Sequence, residues 1–234
     1  MATRGLLPLI RSDIDRYSFL FEVDGTATIS RRLKLVAHAR SLLLCQGLQA
    51  TIVHRIGHAL CEWQPVGVGG RMTRLLGRVA HFASSRLVET ITGISIADRA
   101  SIGPGLYIGH FGGVIIGAAT IGENCNLSHG VTIGRSGRIG QFGRPTLGDR
   151  VWIGPGAVIT GPVTIGEDAV VGANAVVTKS VPARAAALGV PARVIADRPS
   201  FEMVAFRGSD TDSGRARSVQ ALNDGVAAPR LRAI

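Results

Sequence analysis

The chain has 234 residues and a formal net charge of +10, with 46% hydrophobic residues, 5% aromatic residues and 31 glycines. That length suits one large domain or one with a smaller companion, and no apolar run approaches the roughly 20 residues of a membrane span. The basic residues are spread along the chain without a nucleic-acid motif, so nucleic acid is not expected as a partner. Without a long apolar run, no membrane is expected either. Three cysteines without metal-site spacing predict reduced thiols, a cytoplasmic location and no bound metal.

Helical signals dominate the first part of the chain and predict an N-terminal α-helical domain over residues 1–92. Ser30 is a candidate cap for the first helix, and Pro65 blocks continuation of the second. The glycine-rich stretch 67–70 neither follows a strand nor precedes a phosphate-binding lysine, so it is interpreted as a loop. The predicted helices run over residues 31–44, 48–63 and 71–92.

A six-residue repeat dominates residues 93–197. This period fits neither an amphipathic helix nor an alternating strand, but it fits a β-solenoid with one inward aliphatic residue per short edge. Three such edges make one triangular coil, so about eighteen residues separate stacked positions. The fold class is therefore mainly β, a parallel solenoid preceded by helices. The inward positions are predicted to be Ile96, Ile102, Ile108, Ile115, Ile121, Leu127, Ile133, Leu147, Ile153, Ile159, Ile165, Val171 and Val177.

Two interruptions of the repeat point to the functional site, because loops that leave a rigid scaffold often carry chemistry. Ile108 and Ile115 are seven residues apart, which predicts one extruded residue within 109–113. Ile133 and Leu147 are fourteen apart, which predicts an ejected loop over about residues 134–146. The polar segment 198–234 is expected to be a disordered tail.

His110 and His129 are the candidate catalytic residues. Each lies two residues beyond Ile108 or Leu127, which occupy the same edge of neighbouring coils, so the imidazoles should stack about one strand spacing apart, roughly 4.8 Å. Such closeness favours at least one neutral imidazole near neutral pH, as a general base requires. The plain alternative is a pair of surface histidines at coil corners. A zinc site would need a third ligand, and none lies at a suitable offset.

The motifs together resemble the hexapeptide-repeat acyltransferases with a left-handed parallel β-helix, and within them the serine O-acetyltransferases. The resemblance is carried by the six-residue repeat and by the segments Gly109-His110-Phe111-Gly112-Gly113, Thr178-Lys179-Ser180-Val181-Pro182, Gly189-Val190-Pro191-Ala192-Arg193 and His54-Arg55-Ile56-Gly57-His58.

This resemblance implies transfer of an acetyl group from acetyl-CoA to the hydroxyl of L-serine, a step of cysteine biosynthesis, with His110 as general base. It also implies a homotrimer with active sites between subunits, and in some members a dimer of trimers. The residues implied to meet acetyl-CoA are Gly154, Ala157, Gly172, Ala175, Lys179 and Arg193.

The chain departs from the family pattern at the acceptor side. Ser95 stands where the family usually has an aspartate that orients the histidine, with Asp98 nearby, and Arg144 stands where a histidine usually precedes Pro145. Ser95, Asp98 and Arg144 are the candidate substrate-binding residues, because Arg144 could still grip a carboxylate. An O-acetyltransferase acting on a sugar or polysaccharide hydroxyl is the alternative function, and a non-catalytic trimeric scaffold a more distant one.

The final residue, Ile234, suggests a partner by the same resemblance. Serine acetyltransferases often end in isoleucine, which inserts into the O-acetylserine sulfhydrylase. Docking of Ile234 to that enzyme is therefore a further expectation.

Overall fold

The structure is a computed structural model that describes residues 5–22, 31–136, 142–211 and 215–216. Its first part is helical, as expected. The helices are α1 (Leu6–Glu22), α2 (Arg31–Leu44), α3 (Gln46–Glu62) and α4 (Gly67–Thr92). The sequence pattern did not predict α1, and Ser30 lies outside the described residues.

The interpretation of residues 67–70 as a loop is wrong, because they form the first turn of α4. Pro65 ends α3, and Gly70 lies directly against the Pro65 side chain, where an added Cβ would come within 2.8 Å of it. The small residue lets α4 start two residues after the proline. The predicted helix from Arg71 is present but begins four residues earlier, because the lack of a phosphate-binding motif does not exclude a helix.

Short strands follow α4 and wind into a prism. They are β1 (Ile94–Ile96), β2 (Ser101–Ile102), β3 (Tyr107–Ile108), β4 (Val114–Ile116), β5 (Thr120–Ile121), β6 (Asn126–Leu127), β7 (Thr132–Gly134), β8 (Thr146–Leu147), β9 (Trp152–Ile153), β10 (Val158–Thr160), β11 (Thr164–Ile165), β12 (Val170–Val171), β13 (Val176–Val177), β14 (Ala186–Leu188) and β15 (Arg193–Ile195).

Three parallel sheets form the walls of this prism. Sheet A has the order β1-β4-β7-β10-β13, sheet B has β2-β5-β8-β11, and sheet C has β3-β6-β9-β12-β14 with β15 added antiparallel at its end. From β1 to β13, strands three apart in sequence are hydrogen-bonded neighbours, so each of these coils contributes one strand to each wall. The predicted parallel β-solenoid is confirmed, and its aliphatic side chains fill the lumen.

The predicted inward position Ile115 is wrong. Ile115 is 52% exposed, whereas Val114 and Ile116 on either side of it are buried. Ile116 pairs with Ile96 below and Ile133 above, so the edge after the extruded corner takes eight residues and the next one takes five. Counting six residues back from Ile121 reaches Ile115, because the count assumes edges of equal length. The inward residue is the next one, Ile116.

The helices close the open end of the first coil. A solenoid end exposes unpaired strand groups, which need partners. Asp13 accepts hydrogen bonds from the amides of Gly105 and Leu106 at 2.9 and 3.3 Å. The buried Arg55 guanidinium binds Asp13 at 2.9 Å and also donates to the carbonyls of Ile102 and Gly103. These contacts fix α1 and α3 against the coil that carries the candidate base.

The described part of the segment after residue 198 is folded against sheet C, which differs from the disorder expected for it. Val204 is fully buried, and the buried Arg215 donates to the Val204 carbonyl and to Asp168, both at 2.6 Å. Asn126 of β6 donates to the carbonyl of Met203 at 2.9 Å. Buried polar contacts of this kind leave no hydrophobic periodicity in the sequence. The polar composition of the segment therefore predicted a disordered tail. The rest of that segment, including Ile234, lies outside the described residues.

Candidate active site

One corner of the prism gathers most of the predicted site residues. The segments that join sheet C to sheet A are residues 109–113, 128–131, 154–157 and 172–175. Because the strands on both sides are stacked in register, these four segments lie one above another. We call this column the C–A corner. It holds the predicted catalytic residues in its first two layers and four of the predicted cofactor-binding residues in the next two.

His110 and His129 lie beside each other at the C–A corner. Ile108 pairs with Leu127 as expected, and the two imidazole centroids are 5.8 Å apart, with the rings inclined at 70°. Both side chains are exposed in the single chain. An accessible imidazole on a rigid corner is suited to take a proton from a bound hydroxyl group.

Glycines shape the layer that contains His110. Gly112 and Gly113 have φ angles of +100° and +67°, a region that side chains with a Cβ rarely adopt. The Gly112 amide donates to the Thr92 carbonyl and the Gly112 carbonyl accepts from Gly130, both at 2.9 Å. The extruded corner that carries His110 is therefore a turn held by backbone hydrogen bonds.

A groove of about 410 Å³ opens beside His110. The sequence did not point to Tyr17 or to residues 44–47 of its lining, because they come from helices far from His110 in the chain. Tyr17 and Tyr107 contact each other there, with ring centroids 4.8 Å apart. Burial raises the pKa of the Cys45 thiol, against an opposing influence of Arg40. The groove is lined by Tyr17, Leu44, Cys45, Gln46, Gly47, Tyr107, Ile108, Gly109, His110 and Phe111.

Ser95 and Asp98 lie in a different groove, between α4 and sheet A. The Ser95 hydroxyl donates to Glu89 at 2.7 Å. The Asp98 carboxylate binds His81 at 2.9 Å. Neither residue is among those lining the groove beside His110, and their side chains are bonded to Glu89 and His81 instead. Their role in substrate binding stays a prediction.

Arg144 and Lys179 lie near the corner that joins sheet A to sheet B. The ejected loop leaves the prism after β7 and returns at β8, as predicted, and its residues 137–141 lie outside the described residues. Gly143 is pressed against Pro162 of the next coil, where an added Cβ would clash. Arg144 and Lys179 are both exposed. We call this second column the A–B corner.

The predicted cofactor-binding residues differ in which of their atoms a ligand could contact. The side chains of Ala157 and Ala175 are fully buried in the lumen. Their amides donate to the carbonyls of Gly154 and Gly172, at 3.3 and 3.2 Å. A ligand at this corner would therefore meet the outer surface of the turns rather than the alanine side chains. Arg193 is exposed in β15 at the far end of the prism.

No group of three potential metal-ligating side chains occurs in the described residues. Within the same residues, no helix is long and apolar enough to cross a membrane. All three cysteines are free thiols.

A parallel β-solenoid of six-residue edges with a histidine pair at one corner defines a hexapeptide-repeat transferase, and residues 144–179 match the family of bacterial transferase hexapeptide (six repeats). A serine acetyltransferase of Mycobacterium tuberculosis is 43% identical over 159 residues, which cover 67% of this chain and 64% of that relative. A serine acetyltransferase of Helicobacter pylori is 40% identical over 155 residues, which cover 66% of this chain and 84% of the relative. The chain belongs to the serine acetyltransferase family and is an acyltransferase.

Solved structures agree with this assignment. The soybean serine acetyltransferase apoenzyme superposes with a TM-score of 0.63 at 33% identity, covering 80% of this chain and 69% of that one. The same soybean enzyme complexed with serine gives a TM-score of 0.62 at 33% identity, covering 80% of this chain and 70% of that one.

Proposed function

We propose that this chain transfers the acetyl group of acetyl-CoA to the hydroxyl group of L-serine, with His110 as the general base. The hydroxyl oxygen attacks the thioester carbonyl, the new C–O bond forms, and the C–S bond breaks to release CoA. His110 takes the hydroxyl proton and returns it to the sulfur, so the imidazole ends as it began. Such a base contributes about 10²–10⁴ in rate.

The position of His110 is the observation that carries this proposal. His110 is exposed on a corner shaped by glycines, next to a groove of about 410 Å³, and its ring lies edge-on to that of His129. His129 would orient or supplement the base. The three free thiols suit a cytoplasmic enzyme that meets acetyl-CoA in a reducing compartment.

Acetyl-CoA would lie along the C–A corner above the histidines. The turns at Gly154 and Gly172 continue the column that starts at His110, so an extended pantetheine chain would follow it from layer to layer. Arg193 is an exposed cation at the far end of the prism and would meet the phosphates of CoA. Lys179 is exposed at the A–B corner, so it would reach these phosphates from a neighbouring subunit. No metal is needed, since the base and the thioester supply the chemistry.

The two corners lead us to propose a homotrimer. His110 lies at the C–A corner and Arg144 follows the ejected loop at the A–B corner, so a wall of the prism separates them within one chain. A cyclic trimer with head-to-tail contacts places one corner of each subunit against a different corner of its neighbour. The active site would then combine His110 of one subunit with Arg144 of the next.

Mixed trimers test this arrangement. His110→Ala and Arg144→Ala should each be inactive alone, but co-refolding them in equal amounts should restore activity at about one quarter of the sites, because random assembly joins the two intact faces at that frequency. A mixture as inactive as its components would show that both residues act within one chain. Native mass spectrometry of the mixture shows whether mixed trimers have formed.

A sugar hydroxyl is the second candidate acceptor, and two observations favour it. Arg144 stands where a histidine usually precedes the proline, and the Ser95 hydroxyl is bonded to Glu89 rather than directed to His110. Thiol release from acetyl-CoA with L-serine, and separately with a panel of sugars, distinguishes the two. Release that requires serine supports the proposal, and release with a sugar alone replaces serine as the acceptor.

A further inference from the structure

The groove beside His110 has a lining that suits an uncharged ligand. The described residues that line it include no aspartate, glutamate, lysine or arginine. Burial raises the pKa of Cys45 and the pKa of Tyr107, so the thiol and the phenol there both stay neutral. L-Serine carries an ammonium group and a carboxylate, and charged groups that leave water need partners of opposite sign. The described lining of the groove supplies no such partners, so its chemistry fits a neutral molecule better.

Aromatic rings make up much of this lining. Tyr17 and Tyr107 contact each other at a centroid distance of 4.8 Å with their planes inclined at 52°, and Phe111 is 64% exposed. The Tyr107 ring lies against Gly109, the residue before His110, where an added Cβ would come 3.3 Å from a ring carbon. Such rings offer a large, rigid apolar contact area. One face of a pyranose ring presents C–H groups, which fit this kind of surface.

Two polar groups of the lining have no hydrogen-bond partner within the described residues. The side-chain oxygen of Gln46 is buried without a hydrogen bond, so turning this amide toward a ligand breaks no existing bond. The Tyr17 hydroxyl is bonded to the backbone of Ile108, whereas the Tyr107 hydroxyl makes no hydrogen bond in the described part of the chain. An amide and a phenol together can both donate and accept, as the hydroxyl groups of a sugar require. A site built with such groups rejects ligands that leave them unpaired.

The size of the groove agrees with a ring-shaped ligand. Its volume of about 410 Å³ lies within the roughly 300–1,000 Å³ of small-molecule sites, and free serine would occupy only part of it. Gly47 lies directly against the Tyr17 hydroxyl and the Ile108 carbonyl, so α3 meets β3 there without a gap. The groove is therefore built by packed elements that also carry the base.

We infer that the groove beside His110 binds a pyranose ring of a saccharide, with the ring against Tyr107 and Phe111 and its hydroxyl groups at Gln46 and the Tyr107 phenol. One hydroxyl of that sugar then takes the acetyl group. Its oxygen forms the new C–O bond to the acetyl carbon, the C–S bond of acetyl-CoA breaks, and the proton passes through His110 to the sulfur. The inference rests on the proposed acetyl transfer by His110, and it adds saccharides to L-serine as a second class of acceptor.

Saturation-transfer NMR on the full chain without acetyl-CoA tests the binding of sugars alone. The probes are the methyl β-pyranosides of glucose, galactose and N-acetylglucosamine. D-Sorbitol is the matched control, because it has the hydroxyl groups but no ring face. At least one pyranoside should bind, with the strongest transfer at its ring C–H protons, and sorbitol should bind about tenfold more weakly. Absence of transfer to every pyranoside, or equal binding of sorbitol, would overturn the inference.

Variants of the lining residues tie this binding to the groove. Gln46→Ala and Tyr107→Phe should each weaken pyranoside binding by about three- to tenfold, the effect of one neutral hydrogen bond. Phe111→Ala should weaken it by about tenfold through the lost ring contact. Gln64→Ala makes the same change as Gln46→Ala at an exposed position outside the lining, so it should bind like the wild type. Unchanged binding in the three lining variants, or an equal loss in Gln64→Ala, would refute this site.

Thiol release from acetyl-CoA separates this inference from the proposed function. Release with L-serine that requires His110 supports the proposed function whether or not a pyranoside binds. Release with the bound pyranoside should also be lost in His110→Ala, and in Gln46→Ala its KM should rise while kcat stays close to that of the wild type. A pyranoside that binds but gives no thiol release would refute the acceptor role of the sugar and leave the proposed transfer to serine intact.

Discussion

Replacing Tyr17 by phenylalanine tests how the helices hold the candidate active site. The Tyr17 side chain is 2% exposed, and its hydroxyl accepts a bond from the Ile108 amide at 2.8 Å and donates to the Ile108 carbonyl at 3.3 Å. Burial raises the pKa of Tyr17 well above its ordinary value, so the hydroxyl stays protonated and able to donate. Ile108 belongs to β3, the lowest strand of sheet C, and has no neighbouring strand below it.

Tyr17→Phe keeps the ring and removes the partner of these two backbone groups. A buried amide without a partner costs about 1–3 kcal/mol, and the longer second bond adds little, so we expect a loss of about 2 kcal/mol in the free energy of unfolding. For a chain of this size that corresponds to about 4–8 °C in melting temperature. The base His110 lies two residues beyond Ile108, so turnover should fall as well, by up to about a hundredfold if the corner shifts by an ångström.

Urea unfolding of Tyr17→Phe and Tyr107→Phe side by side provides the assay. The Tyr107 ring contacts Tyr17, but its hydroxyl makes no hydrogen bond within the described residues. Tyr107→Phe should therefore stay within about 0.5 kcal/mol of the wild type. Equal losses for the two variants, or no loss for Tyr17→Phe, would refute the role assigned to the Tyr17 hydroxyl.

Three further changes follow from the same structure. Arg55→Met should lower the free energy of unfolding by about 3–5 kcal/mol, because it leaves the buried Asp13 carboxylate without its ion-pair partner. In urea titrations, adding Asp13→Asn should recover part of this loss. Burial lowers the pKa of His54 to about 3, so the unfolded chain takes up a proton below its ordinary pKa of 6.5 while the folded chain does not. Stability should thus fall by about 1 kcal/mol between pH 7 and about pH 5.5, and His54→Leu should remove this dependence in the same titrations. Gly113→Ala should cost about 1–2 kcal/mol from its positive φ and should lower turnover, whereas Gly69→Ala in α4 should leave both unchanged or slightly raise stability.

The repeat made most of the solenoid predictable from sequence. Each inward aliphatic residue has the same neighbours one coil above and below, so a period in sequence becomes a column in space. The histidine pair could be predicted for the same reason, because Ile108 and Leu127 are one coil apart. Ile115 shows the limit of this reasoning. A long edge followed by a short edge leaves the total number of residues in the coil nearly unchanged, but it changes which side chain points inward.

Contacts made by single residues over long separations could not be predicted. Asp13, Tyr17 and Arg55 reach the first coil through hydrogen bonds that span between 47 and 93 residues, and no period in the sequence marks them. The sequence also did not show which side of α4 packs against the rest of the protein. Its apolar spacing predicted a helix but could not tell whether that face meets the protein or another surface.

The most direct test of the proposed mechanism is the turnover of His110→Ala with acetyl-CoA and L-serine, followed by thiol release, with acetyl-CoA binding measured in parallel. A general base at His110 predicts a fall in kcat of about 10²–10⁴ with the affinity for acetyl-CoA unchanged. Turnover of the variant close to that of the wild type would contradict the assignment of His110, and so would a loss that is explained entirely by weaker acetyl-CoA binding.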